Sequence, residues 1–203
     1  MLSSLINGLL LGFGAAVPLG PINLLIMTQA LKSYKGAVAI GLGAMSADII
    51  YFFLTLTLSL KISQNHTFLK VLAIFGSLFL LYIAWQIFKN RNNPISIKEE
   101  SINKKELFKN YLKGLSLTLF NPYTIGFWLS VSATIATKNL NPIYSVLGII
   151  LAISLWITLM PLFIYKSKHL ISQKVAKIFS IFSASVMVYF AITLLITTFK
   201  SLN

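Results

Sequence analysis

One acidic residue, Asp48, lies in the middle of an apolar stretch, GLGAMSADIIYFF (41–53), that is typical of a membrane-buried helix. A charge at the centre of a bilayer costs about 2.5–3.5 kcal/mol on insertion scales, and such residues usually face a cavity or a partner. Asp48 could therefore carry a coupling proton or pair with a cationic group of a substrate. Tyr51 lies within reach of the same helix face. The alternative is a neutral Asp48 that only hydrogen-bonds a neighbouring helix.

A second group of residues interrupts the first apolar run, at AAVPLGPINLL (15–25). A proline inside a helix removes a backbone hydrogen bond and clashes with the preceding turn. In lipid, the freed carbonyl groups must be satisfied by protein, water or a ligand. The segment therefore predicts a broken helix with exposed polar groups. Its residues are Pro18, Gly20, Pro21 and Asn23.

A similar interruption, TLFNPYTIGFW (118–128), lies in the fourth apolar run. It contains Asn121, Pro122 and Tyr123. Corresponding breaks in two halves of a transporter point to a binding site near the bilayer midplane. The helix ends at such breaks offer N–H groups to a carboxylate, and the amides of Asn23 and Asn121 offer oxygens to a cation or an ammonium group. The alternative is that the prolines kink helices for packing alone.

Composition indicates whether water or lipid surrounds this chain. Of its 203 residues, 57% are hydrophobic and 10% are charged, and the mean hydropathy is +0.82. A soluble domain keeps about a quarter of its residues charged, so most of this surface must face lipid. The net charge of +13 comes from lysines between apolar runs, which is typical of juxtamembrane segments and argues against nucleic-acid binding. The absence of cysteine excludes thiol chemistry.

Six apolar runs are long enough to span a bilayer, which predicts an all-α, polytopic membrane protein with a single transmembrane domain, 1–203. Thirteen of the seventeen cations lie in the first, third and fifth gaps between runs. Cytoplasmic loops retain such cations, so we expect both termini to lie outside. The runs lie near residues 4–29, 36–60, 67–89, 113–135, 143–165 and 176–199.

Six spans divide into two halves of three that would enter the membrane from opposite sides, an inverted repeat. The predicted halves are residues 1–89 and 113–203, joined by a cytoplasmic segment, 90–112, that forms a loop or a short helix over Lys98–Asn110. Proline breaks open the first helix of each half, which makes helices 1 and 4 the broken ones. The paired small residues Gly8 and Gly12 suit helix packing either within one protomer or in a homodimer.

These features resemble the LysE-type exporters, which include lysine/arginine exporters and RhtB-type homoserine and threonine exporters. The family opens with a Pro-Gly-Pro signature, matched here by Gly20-Pro21. A glycine-rich helix 2 with an acid follows, and the second half carries Asn-Pro-Lys before an aromatic stretch. Two departures are Leu19, inserted after Pro18, and Tyr123, which stands where the family usually has lysine. The matching helix 2 residues are Gly36, Gly41, Gly43 and Asp48.

The resemblance implies an inner-membrane exporter of amino acids or related small metabolites, driven by the proton gradient. We accordingly predict a secondary transporter that is not an enzyme and needs no cofactor, metal or nucleic acid. Its partners would be its substrate, the lipid bilayer and, in a dimer, a second copy. Two alternatives stay open: a divalent metal-cation exporter and a non-transporting membrane subunit. The tryptophans suit membrane anchoring or core packing as well as substrate contact; they are Trp85, Trp128 and Trp156.

Overall fold

The computed structural model describes residues 1–17, 20–63, 66–92, 102–170 and 172–201. Within these ranges the chain forms eight α-helices and one 3₁₀ turn, Lys168–Leu170, and no strand. The all-α class is therefore confirmed. The helices are α1 (Leu2–Ala16), α2 (Pro21–Ala30), α3 (Tyr34–Ser63), α4 (His66–Lys89), α5 (Lys104–Leu119), α6 (Pro122–Thr137), α7 (Pro142–Ser167) and α8 (Gln173–Ser201).

Three of the described helices are long and apolar enough to cross a membrane unaided, in the segments Tyr34–Thr55, Pro142–Leu170 and Gln173–Ile196. The pair α1 and α2 makes a fourth candidate if it counts as one span, bent by 77°. Helix α4 contains a shorter apolar portion, Ala73–Lys89. The fourth predicted run, 113–135, is divided between α5 and α6. Six spans therefore stay a prediction, while the three to four candidate spans among the described helices indicate a multi-pass membrane protein.

Both predicted breaks coincide with helix boundaries. Helix α1 ends at Ala16, and α2 begins at Pro21 after the extended residue Gly20. Helix α5 ends at Leu119, and α6 begins at Pro122. Proline suits the first position of a helix because its fixed φ is helical and its missing N–H is not needed there. Each proline therefore starts a new helix.

The polar segment before the fourth run is helical from Lys104 onward, and its residues 93–101 lie outside the described ranges. Asn103 caps this helix: its side chain accepts a hydrogen bond from the Glu106 N–H at 2.9 Å, and Glu106 accepts one from the Asn103 N–H at 3.1 Å. Such reciprocal capping fixes a helix start. The helix continues beyond Asn110, where the sequence predicted its end, to Leu119.

Helices α1 and α7 cross at two glycines that bring their backbones together. A Cβ atom on Gly8 would overlap the carbonyl group of Ser145, and one on Gly148 would overlap that of Leu5. Each glycine thus rests on the backbone three residues before the other glycine. Gly12 also packs on α7, against Ala152, so the small residues of α1 serve packing within one protomer.

Helices α3 and α5 cross in the same way. A Cβ on Gly43 would overlap the carbonyl of Tyr111, and one on Gly114 would overlap that of Ile40. Again each glycine rests on the backbone three residues before its partner. The third large helix pair is α4 with α8, where the Ser77 hydroxyl donates to the Ala191 carbonyl at 3.0 Å. Residues of all three pairs and of both breaks line one cavity.

Candidate functional site

A cavity of about 550 Å³ lies between the two breaks and is lined by residues of all eight α-helices. This volume falls within the roughly 300–1,000 Å³ typical of small-molecule sites. Gly14 and Ala16 bring the end of α1 to its wall, and Thr118 brings that of α5. Five of the residues predicted for the site line this one cavity: Gly20, Pro21, Asn23, Asp48 and Asn121.

Asp48 is the only ionisable side chain among the described residues that line the cavity. The indole N–H of Trp128, on α6, donates to the Asp48 Oδ1 atom at 3.0 Å. Trp128 is 2% exposed and packs edge-on against Phe52. Because an indole can only donate, Trp128 holds one carboxyl oxygen in place. No lysine, arginine or histidine among the described lining residues supplies a countercharge.

Asn23, on α2, connects the two helices of the first break through its side-chain amide. Its amide nitrogen donates to the carbonyl oxygen of Ala16, the last residue of α1. Its amide oxygen accepts a hydrogen bond from the indole N–H of Trp156, on α7, at 3.2 Å. Asn23 is only 3% exposed, so this contact satisfies a helix-end carbonyl that would otherwise face an apolar surrounding.

Tyr51 satisfies the helix-end carbonyl group at the second break. Its hydroxyl donates to the carbonyl oxygen of Leu119, the last residue of α5. Tyr51 is 7% exposed and is not among the lining residues. It lies eight residues after Gly43, and Trp156 lies eight residues after Gly148. The two aromatic donors therefore occupy equivalent positions relative to the two glycine crossings.

The sequence of this chain matches a known protein family. The model of the family described as "LysE type translocator" matches residues 13–198, which is most of the chain. The chain belongs to the LysE type translocator family. The predicted resemblance is thereby confirmed, and the protein is a multi-pass membrane transporter of small molecules.

Two relatives of this LysE-type translocator come from Bacillus subtilis (strain 168). "Putative amino acid efflux protein YcgF" is 31% identical over 180 residues, covering 83% of this chain and 84% of the relative. "Putative amino-acid transporter YisU" is 27% identical over 143 residues, covering 69% of this chain and 62% of the relative. No solved structure matches the chain.

Three predicted site residues of this translocator have no described side chain. Pro18 lies outside the described residues, and the side chains of Pro122 and Tyr123 lie outside the described side chains. The sequence left the role of Trp128 and Trp156 open between membrane anchoring, core packing and substrate contact. The signal that could have found them is their N–H group, because a buried indole usually needs an acceptor.

Removing the Tyr51 hydroxyl should loosen the second break of this LysE-type translocator. We expect Tyr51→Phe to lower the free energy of unfolding by about 1–3 kcal/mol, because the Leu119 carbonyl is left without its donor. The measurement is the melting temperature of the purified protein in detergent. Tyr189→Phe is the control, since Tyr189 is 65% exposed. Equal melting temperatures for the two variants would contradict this role of Tyr51.

Proposed function

We propose that the protein is a secondary transporter that exports amino acids or related small metabolites through the cytoplasmic membrane of a bacterium. One observation carries this proposal: a single cavity is lined by residues of both helix breaks and by the carboxyl group of Asp48. Discontinuous helices around a midplane cavity are the typical binding site of secondary transporters. The names of both relatives, which refer to amino-acid efflux and transport, support the choice of cargo.

The cavity offers complementary partners to the two charged groups of an amino acid. Pro21 opens α2 and Thr124 lies in the first turn of α6, and both line the cavity. Helix N-termini carry partial positive charge and free N–H groups, which favour the carboxylate of the cargo. Asp48 would receive its ammonium group, with the amide oxygen of Asn121 as a further acceptor.

The same carboxyl group explains how export would be coupled to protons. With no countercharge on the described lining, Asp48 is stable in the apolar cavity either as the neutral acid or as a carboxylate paired with an ammonium. Binding of a proton and binding of the cargo therefore exclude each other. Such competition for one group produces exchange of cargo against protons. The Trp128 N–H can donate to Oδ1 both in the neutral acid and in the carboxylate, so it orients the group in both states.

Alternating access would follow from an inverted repeat, which the helix packing supports. Exchanging α1 with α5, and α7 with α3, carries the Gly8–Gly148 crossing onto the Gly114–Gly43 crossing with the same register. The pair α4 and α8 maps onto itself. Transporters built in this way rock one set of helices against the other around a fixed site. In this scheme the described crossings are the rigid contacts, and the breaks are where the helices bend.

We also propose that both termini lie outside the cell, on the basis of the lysine-rich first, third and fifth gaps. A reporter enzyme fused after Asn203 tests this orientation. Activity of a periplasmic or extracellular reporter supports it. Activity of a reporter that functions only in the cytoplasm would reverse the proposed topology.

The export function is tested with cells preloaded with a mixture of labelled amino acids. Cells that express the protein should lose one or a few amino acids faster than cells that carry an empty vector. The amino acids that are lost selectively then name the cargo. Equal loss of every amino acid from both strains would contradict amino-acid export.

Metal export is the rival that the same strains address. A hard divalent cation takes six or more oxygen ligands, several of them carboxylates. The described cavity lining supplies one carboxylate, Asp48, beside amide and hydroxyl groups, so this arrangement favours an ammonium group over such an ion. Increased resistance to cadmium or manganese on plates, without amino-acid loss, would favour the rival.

A further inference from the structure

The lining of the cavity also restricts which amino acids it accepts. We propose that the cargo is a zwitterionic amino acid with an apolar side chain, branched or aromatic, and that Gly14 provides the space for that side chain. The inference rests on the proposed export function and specifies its substrate class. It follows from the charge, the polarity and the free volume of the cavity, taken in turn.

Charge excludes cargo with a third ionised group. Asp48 is the only ionisable group on the described lining, and the α-ammonium group of any amino acid engages it. A lysine or arginine cargo would bring a second cation with no partner, and a glutamate or aspartate cargo would bring a second anion. An unpaired charge in an apolar surrounding is strongly disfavoured, so both classes should be rejected.

The lining of the cavity combines a few polar groups with a broad apolar wall. The polar side chains belong mainly to the two breaks and their neighbours, where the charged groups of the cargo would bind. The apolar wall comes from five helices that surround these breaks. It includes Ile26, Leu80, Phe127, Ile157, Phe190 and Leu194. A hydrocarbon side chain against this wall leaves no polar group unsatisfied, whereas a polar side chain would lose its bonds to water.

Free volume locates the side chain. A Cβ atom built on Gly14 or Gly20 would meet no heavy atom within 4 Å, although both residues line the cavity. The other lining glycines are closed: a Cβ on Gly41 would lie 2.6 Å from Ile157, and one on Gly76 would overlap the Phe120 carbonyl. Gly20 belongs to the first break itself. Gly14, on the regular helix α1, therefore marks free space that a cargo side chain can fill.

The experiment is solute counterflow with the purified protein in liposomes, using labelled leucine, phenylalanine, alanine, lysine and glutamate. We expect leucine and phenylalanine to exchange at least about tenfold faster than lysine or glutamate, because a buried unpaired charge is rejected. Gly14→Leu should lower the exchange of phenylalanine relative to alanine by about tenfold or more, since it fills the space that the larger side chain needs.

Two further variants make this result interpretable. Gly126→Leu is the matched control, because a Cβ on Gly126 also meets no atom within 4 Å but Gly126 does not line the cavity. Its ratio of phenylalanine to alanine exchange should equal that of the wild type. Gly14→Ala removes less space and should fold if Gly14→Leu does not, because alanine favours a helix over glycine. It should shift the ratio in the same direction.

The outcomes distinguish the export function from the substrate class and from the assignment of Gly14. Exchange of none of these amino acids would overturn the export function and the substrate class together. Lysine or glutamate exchanging as fast as leucine would overturn the substrate class and leave amino-acid export standing. A ratio unchanged in both Gly14 variants, or changed equally in Gly126→Leu, would overturn the assignment of Gly14.

Discussion

Asp48→Asn is expected to reduce amino-acid efflux to the level of cells that lack the protein. Asparagine keeps the shape of the side chain and an oxygen that accepts the Trp128 N–H bond, so the packing of α3 against α6 should survive. What is lost is the charge that pairs with the cargo and the group that carries the proton. Removing one partner of a buried charge pair costs about 2–5 kcal/mol of binding, which is more than tenfold in affinity.

The measurement is efflux from preloaded cells, with the amount of protein in the membrane determined in parallel. Asp48→Glu is the matched control because it restores the charge on a longer side chain and should recover part of the efflux. The melting temperature of Asp48→Asn should stay close to that of the wild type. If Asp48→Asn exported normally and with the same dependence on pH, Asp48 would be a structural residue. That result would remove Asp48 from the proposed binding and coupling mechanism while leaving export standing.

Gly114→Val is expected to prevent the protein from folding stably in the membrane. A Cβ on Gly114 would overlap the carbonyl group of Ile40, and a β-branched side chain adds further atoms at this point. Backbone atoms cannot move aside as a flexible side chain can, so α3 and α5 would have to separate. Overpacking of a core usually costs about 1–3 kcal/mol, and displacement of two long helices should reach or exceed the upper value.

The yield and melting temperature of the protein, purified in mild detergent, report this effect. Gly126→Val provides the control, because it places the same side chain on a helix in open space. Gly148→Val should behave like Gly114→Val if the two crossings are equivalent, since its Cβ would overlap the Leu5 carbonyl. A Gly114→Val protein as stable as Gly126→Val would show that the backbones of α3 and α5 do not approach closely at Gly114.

The sequence predicted the positions of both helix breaks correctly because proline acts locally. Helices α2 and α6 begin at Pro21 and Pro122, and a proline changes backbone geometry whatever surrounds it. The location of Asp48 in a cavity was also predictable, because an acid without a countercharge in an apolar helix usually faces a cavity or a partner. These inferences need only residue type and the immediate neighbours.

The groups that hold the breaks were not predictable in this way. Trp128 lies 80 residues from Asp48 in the sequence, and Trp156 lies 133 residues from Asn23. Only helix packing brings such pairs together. The sequence placed Tyr51 within reach of the Asp48 face, but it gave no sign that the Tyr51 hydroxyl contacts Leu119 or that Tyr51 does not line the cavity. Its facing direction depends on how α3 crosses α5, which hydropathy does not record.

Among the described helices, only some of the six predicted spans are recognisable by length and hydropathy. Helix α4 has a short apolar core, and the fourth run is divided between α5 and α6. A break that opens a binding site shortens the continuous apolar helices on either side of it. The features that make a transporter functional are therefore the ones that weaken its membrane-span signal. The six-span prediction depends on treating both broken pairs as single spans.

We expect the cargo to bind in the cavity between the two breaks, and protection of a single thiol tests this most directly. The chain contains no cysteine, so Gly14→Cys introduces one reactive group, at the cavity wall. The measurement is the rate at which a small, water-soluble maleimide modifies this variant in liposomes. We expect a transported amino acid to slow the reaction at Gly14→Cys and not at Gly126→Cys. An unchanged rate at Gly14→Cys, at amino-acid concentrations that saturate transport, would contradict it.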